Sequence, residues 1–222
     1  MAEITAIIPV RAGSTRVPNK NILPFGDSNL LVHKIRQLKQ IKLIDRIVVS
    51  SDSPAMLAMA QQEGVETQTR PDEYCDEKTK TFNEVVEYVI SHLKTDIAIW
   101  APCVCPLVEN ATFEKAIHAF LNLEPAYDGV VSVRLLKEFI FDEKGPVNFS
   151  IEHFVPSQRL PNWHTIVNGF YIAQAQDMVR WKFVYGKAPK LIELSKVEAI
   201  DIDDQADFDF AQCMWQKQHA AK

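Results

Sequence analysis

The 222-residue sequence predicts an α/β fold: one domain, residues 1–222, built on a parallel sheet with helices packed against it. Three observations predict this. Short apolar runs alternate with stretches whose apolar residues return at helical spacing, the signature of consecutive βαβ units. The first run, Ile4–Val10, is apolar apart from Thr5, as in a strand buried on both faces. With 47% hydrophobic residues, the chain can fill one sizeable core.

Ile4–Val10 therefore reads as the first strand, ending in a loop that holds Gly13, Ser14 and Pro18. Asn29–Ile41 follows as a helix, with Leu31, Ile35 and Leu38 along one face. Ile47–Ser50 is a second buried strand. Ser53-Pro54 opens a helix, because proline in the first turn gives up an N–H that has no partner there, and Gly64 ends it. Glu66–Thr69 reads as a short strand, Phe82–Leu93 as a helix, Ile97–Ala101 as a third core strand and Ala111–Leu121 as another helix. Gly129–Val133 is strand-like. From Arg134 to His164 the pattern decays around Pro146, Pro156 and Pro161. So long a stretch reads as an insertion, either with strands of its own or as a dimer contact. Strand character returns in Thr165–Ala173, Lys190–Leu194 and Val197–Ile202. Asp204–Gln216 closes as a helix whose acidic first turn suits its dipole.

Composition excludes several classes of function. The formal net charge is −5, so no broad positive field draws in nucleic acid, and any cation that binds an anion must act locally. No apolar stretch approaches the roughly 20 residues of a membrane span. The first 14 residues lack the cationic head and long apolar centre of a signal peptide, which points to the cytoplasm. Cys103 and Cys105 form a C-x-C inside an apolar run with no second pair at zinc spacing, so they read as reduced core residues. The histidines show no metal-binding spacing, and no nucleophile elbow is present.

Chemistry concentrates at opposite ends of the chain. In Arg11-Ala12-Gly13-Ser14-Thr15-Arg16-Val17-Pro18-Asn19-Lys20-Asn21, a buried strand runs into a loop with a glycine, two hydroxyls and three cations. Glycine lets backbone amides approach an anion, arginine offers a planar fork and lysine a compact charge. Loops at the carboxyl ends of parallel strands are where such sheets bind ligands. The bland alternative is three solvated cations in a turn. At the far end, Asp201-Ile202-Asp203 in a strand would aim two carboxylates at one point, with Ile202 in the core. Two hard oxygen ligands suit Mg²⁺, although aspartates before a helix also serve as caps, the role expected of Asp204. Ser51 and Asp52 end the second strand beside Ser53, which either faces a ligand or caps the next helix. Arg70 stands before Pro71 at the head of a charged loop, Asp72–Lys80. Two stretches offer polar side chains to a sugar: Gln158 and Arg159 lie in one, Asn168 and Gly169 in the other.

Taken in order, Ile7-Ile8-Pro9-Val10-Arg11-Ala12-Gly13-Ser14, Pro18-Asn19-Lys20-Asn21, Val49-Ser50-Ser51-Asp52, Arg70-Pro71, Cys105-Pro106-Leu107, Asn168-Gly169-Phe170-Tyr171 and Ile200-Asp201-Ile202-Asp203 with Asp207-Phe208 form a recognisable series. The chain resembles the acylneuraminate cytidylyltransferase family, which makes CMP-sialic acids, and more distantly the CMP-Kdo synthetases. The resemblance implies a Rossmann-like, mostly parallel sheet flanked by helices, with the insertion at 134–164 used in a homodimer. It implies attack by a sugar's anomeric hydroxyl on the α-phosphate of CTP, with release of pyrophosphate. Arg11, Ala12, Gly13, Ser14, Lys20, Asn21, Ser51, Asp52 and Arg70 would face the nucleotide. Asp201 and Asp203 would hold Mg²⁺. Gln158, Arg159, Asn168 and Gly169 would face a small anionic acceptor.

The acceptor side departs from the family pattern. Where relatives carry a Gln-Pro-Thr-Ser-Pro-Leu run, this chain has Ala101-Pro102-Cys103-Val104-Cys105-Pro106-Leu107, one residue longer and without the Gln. Where relatives carry Arg-x-Gln, it has Ser157-Gln158-Arg159, and Thr15 replaces a customary Lys. The leading expectation is CMP transfer to a nonulosonic or related 3-deoxy-keto sugar acid. The rivals are transfer to a phosphonate or phosphorylated alcohol, a sugar-1-phosphate nucleotidyltransferase using another base, and a silent nucleotide-binding homologue.

Overall fold

Strands form where the apolar runs lie. The computed structural model describes residues 2–13, 17–76 and 78–219. One sheet contains β1 (Ile4–Pro9), β2 (Arg46–Ser51), β3 (Glu66–Thr69), β4 (Ile97–Trp100), β5 (Gly129–Leu136), β6 (Trp163–Gln174) and β7 (Pro189–Glu193). Their order across the sheet is β3-β2-β1-β4-β6-β5-β7. Every neighbouring pair is parallel except those made by β6, which runs antiparallel to both β4 and β5. The helices are α1 (Leu30–Lys39), α2 (Pro54–Gln62), α3 (Phe82–Ser91), α4 (Asn110–Leu121), α5 (Ala175–Trp181) and α6 (Gln205–His219). None of the described helices is long and apolar enough to cross a membrane.

Successive side chains of a strand point to opposite faces, and the sheet uses this to build two cores. Ala6 and Ile8 of β1 face one core with α1, α2, α4 and α6. Ile7 faces the other with α3 and α5. Both Cys103 and Cys105 are buried free thiols, and burial pushes Cys103 up to about 12.

The helix starts follow their sequence signals. The Ser53 hydroxyl accepts from the Met56 amide at 3.4 Å, so the capping reading of Ser53 holds. Asp204 accepts from the Asp207 amide at 3.0 Å, as a cap for α6. Gly64 follows α2 with φ +72, a conformation that suits glycine.

Three expectations require correction. Val197–Ile202 is not a strand: a turn stands at 196–199, and 200–203 is irregular. The cause is buried Glu198, whose carboxylate accepts from the Ser195 amide (3.0 Å), the Glu109 amide (3.2 Å) and the Thr112 hydroxyl (2.5 Å), anchoring the chain to the start of α4. Inward and outward alternation survives nonetheless, since Ile202 is buried and Asp203 exposed. Second, β5 and β6 extend into the proposed insertion and pair as far as Trp163 with Leu136, so the excursion is 137–162. It carries a small hairpin, Phe141–Asp142 with Gly145–Pro146. Third, α5 was not anticipated; its seven residues are too few for a clear period.

Candidate active site

The carboxyl ends of β1, β2, β3 and β4 open on the same edge of the sheet. Because β6 runs the other way, its first half also reaches that edge. A bulge makes this possible: between the pairings of Ile166 with Val133 and Tyr171 with Val131, β6 advances five residues while β5 advances two. Buried Ser132 fills the bulge. Its hydroxyl lies 2.7 Å from the Val167 carbonyl and 3.0 Å from that of Phe170, and accepts from the Phe170 amide at 3.0 Å. Gly169 lies inside the bulge, where a Cβ would meet Ser132 Oγ at 3.1 Å and the Val108 and Leu194 side chains at 3.3 Å. Its role is close packing, while Asn168 beside it is exposed.

These elements surround a cavity of about 470 Å³. Val10, Arg11, Lys20 and Asn21 line it from the first loop, and Arg70, Tyr74, Cys75, Asp76 and Lys80 from the loop after β3. Phe82 and Val85 come from α3, Trp100, Pro102 and Val104 from the end of β4, and Asn168 and Tyr171 from β6.

The cations are held by backbone carbonyls. Lys20 Nζ donates to the Ile202 carbonyl at 2.5 Å, tying the first loop to the aspartate segment. Arg11 Nη1 donates to the Cys75 carbonyl at 2.8 Å, and Asn21 Nδ2 to that of Arg11 at 3.3 Å. Arg70 is 4% exposed, with Nη2 donating to the Val10 carbonyl at 2.7 Å and Nε to Cys75 Sγ at 2.9 Å. It braces two loops from within. Asp52 accepts from the Ala12 amide at 3.1 Å. Ser51 is buried and accepts from the Ser53 amide at 3.0 Å, so it shapes the strand end and does not line the cavity.

On the opposite wall, Tyr171 Oη donates to Asn168 Oδ1 at 2.8 Å, and Asn168 Nδ2 donates to Asp201 Oδ2 at 2.8 Å. Asp201 Oδ1 is buried and has no hydrogen-bond partner among the described residues. Burial pushes the Asp201 carboxyl above its ordinary range; the Asn168 donors and Lys20 oppose this, and Asp203 adds to it. No group of three or more His, Cys, Asp or Glu side chains placed to hold a metal stands among the described residues. Asp203 is exposed two residues on, and neither aspartate lines the cavity itself.

Of the residues singled out by sequence, Arg11, Lys20, Asn21, Arg70 and Asn168 line the cavity. Asp201 joins them through Asn168. Ala12 and Gly13 are exposed beside it, and Ser14 lies outside the described residues. Gln158 and Arg159 are exposed in a short turn, Ser157–Arg159, and neither lines the cavity.

A family model described as Cytidylyltransferase matches residues 5–219. The chain belongs to the cytidylyltransferase family. Among its relatives, the N-acylneuraminate cytidylyltransferase of Escherichia coli O18:K1:H7 is 28% identical over 99% of the chain, which spans about half (54%) of that relative's length. The pseudaminic acid cytidylyltransferase of Campylobacter jejuni is 23% identical over 96% of both chains. The CMP-N,N'-diacetyllegionaminic acid synthase of Legionella pneumophila is 26% identical over 92% of the chain and 93% of its own. A CMP:2-keto-3-deoxy-manno-octonic acid synthetase solved with CTP shares the fold at TM-score 0.73 and 13% identity, covering 98% of this chain and 100% of that one. A 4-diphosphocytidyl-2C-methyl-D-erythritol synthase from Anaerococcus prevotii shares it at TM-score 0.67 and 16% identity, covering 97% and 99%.

In this member of the family, the position that lacks the expected Gln is accounted for by packing. Ala101 is wholly buried in the core, while Trp100, Pro102 and Val104 on either side line the cavity. Sequence reasoning also missed Tyr74, Lys80 and Phe82. The charged loop after Arg70 was visible, but nothing in it announced that the loop folds back over the site. An edge-to-face contact between Phe82 and Trp100, with ring centroids 6.0 Å apart, adds an aromatic wall.

Proposed function

We propose that the chain transfers CMP from CTP to the anomeric hydroxyl of a nonulosonic or related 3-deoxy-keto sugar acid and releases pyrophosphate. The observation that carries the reading is the Lys20–Ile202 tie, which joins the cationic loop lining the cavity to the segment that holds Asp201 and Asp203. Family membership supports the nucleotide, and relatives named for sialic, pseudaminic and legionaminic acids support the acceptor class.

In the reaction, the acceptor hydroxyl loses its proton to water and its oxygen forms a bond to the α-phosphorus. The bond from that phosphorus to the bridging oxygen breaks, and pyrophosphate leaves with its electron pair. Such transfers depend on positioning and charge neutralisation more than on covalent chemistry. Arg11 and Lys20 supply positive charge beside the triphosphate, and the Ala12 and Gly13 backbone lies exposed next to them. Arg70 keeps the two loops in place. Tyr171 and Asn168 orient Asp201 toward the acceptor hydroxyl.

Asp201 and Asp203 would hold Mg²⁺, and the unpartnered Asp201 Oδ1 fits a hard cation. When bound, Mg²⁺ would neutralise phosphate charge and acidify the acceptor hydroxyl. We place the enzyme in the cytoplasm as a homodimer formed through the excursion, where Phe141, Ile151 and Phe154 are 63%, 70% and 64% exposed.

Pyrophosphate release tests the reading, with Mg²⁺, CTP, UTP and ATP crossed against sugar acids and phosphonates. Release is expected with CTP and a nonulosonic acid. Silence with CTP and every acceptor would sink the enzyme reading, and release with phosphonates alone would move the acceptor.

A further inference from the structure

One buried charge has no part in the site described above. Lys34 lies on α1 and is wholly buried, its ammonium 5.1 Å from the centre of the Phe113 ring. It pairs with no carboxylate among the described residues. Its Nζ donates to Gln37 Oε1 at 2.7 Å and to the Cys105 carbonyl at 3.1 Å. A buried ammonium without a counter-charge costs stability, and an apolar residue of similar volume would cost less. Its presence requires another reason.

The neighbours of Lys34 on α1 supply one. His33 Nε2 lies 2.9 Å from the Pro106 carbonyl, and Gln37 Nε2 donates to the Val108 carbonyl. Three side chains of one helix thus hold three carbonyls of the segment 101–108. That segment's other edge faces the aspartates: the Val104 carbonyl accepts from the Ile202 amide at 2.9 Å, and Ile202 stands between Asp201 and Asp203. Burial pushes the Cys105 thiol well above its ordinary range; Asp201 adds to this, and Lys34 and Lys20 oppose it. One layer of chain therefore separates the buried ammonium from the aspartate pair.

We propose that Lys34 is a positioning residue for CMP transfer: from behind the cavity it fixes the 101–108 segment, which in turn fixes Asp201 and Asp203. This rests on the function proposed above.

The test uses the full chain with Lys34→Met. kcat is expected to fall on the order of 10–100-fold, because small displacements of a reacting group carry penalties of that size. KM for CTP should change less than about 3-fold. Independently of activity, hydrogen exchange at the Ile202 amide should quicken by about 10-fold or more, while amides of β1 and β2 keep their protection and the unfolding midpoint does not drop. Unchanged kcat and unchanged Ile202 exchange would overturn the proposal. So would losses that track a lowered midpoint, since that marks a merely structural role. Gln37→Met, which removes two of the contacts and keeps the charge, should shift both readouts less but in the same direction; no shift there also overturns it. If the unaltered chain releases no pyrophosphate, the functional reading fails, and Ile202 exchange still tests the positioning.

Discussion

The cavity rim and the excursion at 137–162 treat their side chains in opposite ways. Around the rim, polar groups are committed to backbone: Lys20 to Ile202, Arg11 to Cys75, Arg70 to Val10. In the excursion, rings pack on one another, with Phe139 stacked on Phe154 at 4.8 Å and edge-on to Phe149 at 5.0 Å, while much of Phe141 and Phe154 stays in solvent. The rim fixes donors before any ligand arrives, as electrostatic catalysis requires. The excursion keeps apolar area available for contact. On the proposed function, the difference would separate residues that set chemistry from residues that set assembly.

The strongest way to break this comparison is Asp203→Ala. Asp203 is exposed, so the fold should persist while turnover drops about 10³-fold. Pyrophosphate release beside a thermal melt checks this, and near-normal activity would remove Asp203 from the site. Arg70→Ala should act the other way, costing about 2–4 kcal/mol in urea unfolding because the Val10 carbonyl is left buried without its donor. A loss below about 1 kcal/mol would mean that the brace is dispensable.

Lys34 gives a pH-dependent prediction. Burial pushes its ammonium down from 10.5 to about 8. Between those values the unfolded chain binds the proton and the folded chain does not, so stability should rise with pH across that window. The folded chain should therefore gain about 1–3 kcal/mol relative to Lys34→Met between pH 8 and pH 10.5. Parallel pH curves for the two proteins would contradict a buried charge.

Phe154→Asp should have the smallest effect on folding, within about 1 kcal/mol, since the side chain is 64% exposed. Light scattering should nevertheless show the particle mass halved. If the mass does not change, the excursion is not the dimer contact.

Most of the sheet was legible because strands buried on both faces write themselves as apolar runs; Ile4–Pro9 and Ile97–Trp100 are examples. In the loop Arg11–Asn21, the cations that follow a buried strand pointed to the wall that Arg11, Lys20 and Asn21 form, although solvated charges in a turn have the same sequence. Val197–Ile202 misled because Val, Ala and Ile look like a strand, while the residue that bends the chain, Glu198, bonds to partners some 90 residues away. Lys34 was invisible for the same cause. A lysine on an amphipathic helix is normally solvated, and its burial depends on where the segment 101–108 comes to rest.

The bulge on β6 also bears on how the chain tolerates insertion and deletion. Residues added to the excursion lengthen an exposed loop, at a cost of about 0.6 kcal/mol per doubling. Removing one residue between Val167 and Phe170 is a different event. It would rotate the first half of β6 by one step, turning Asn168 away from Asp201 and buried Val167 out of the core. Length variation in descendants of this chain should therefore collect on one side of Trp163 and be absent from the few residues that follow Ile166.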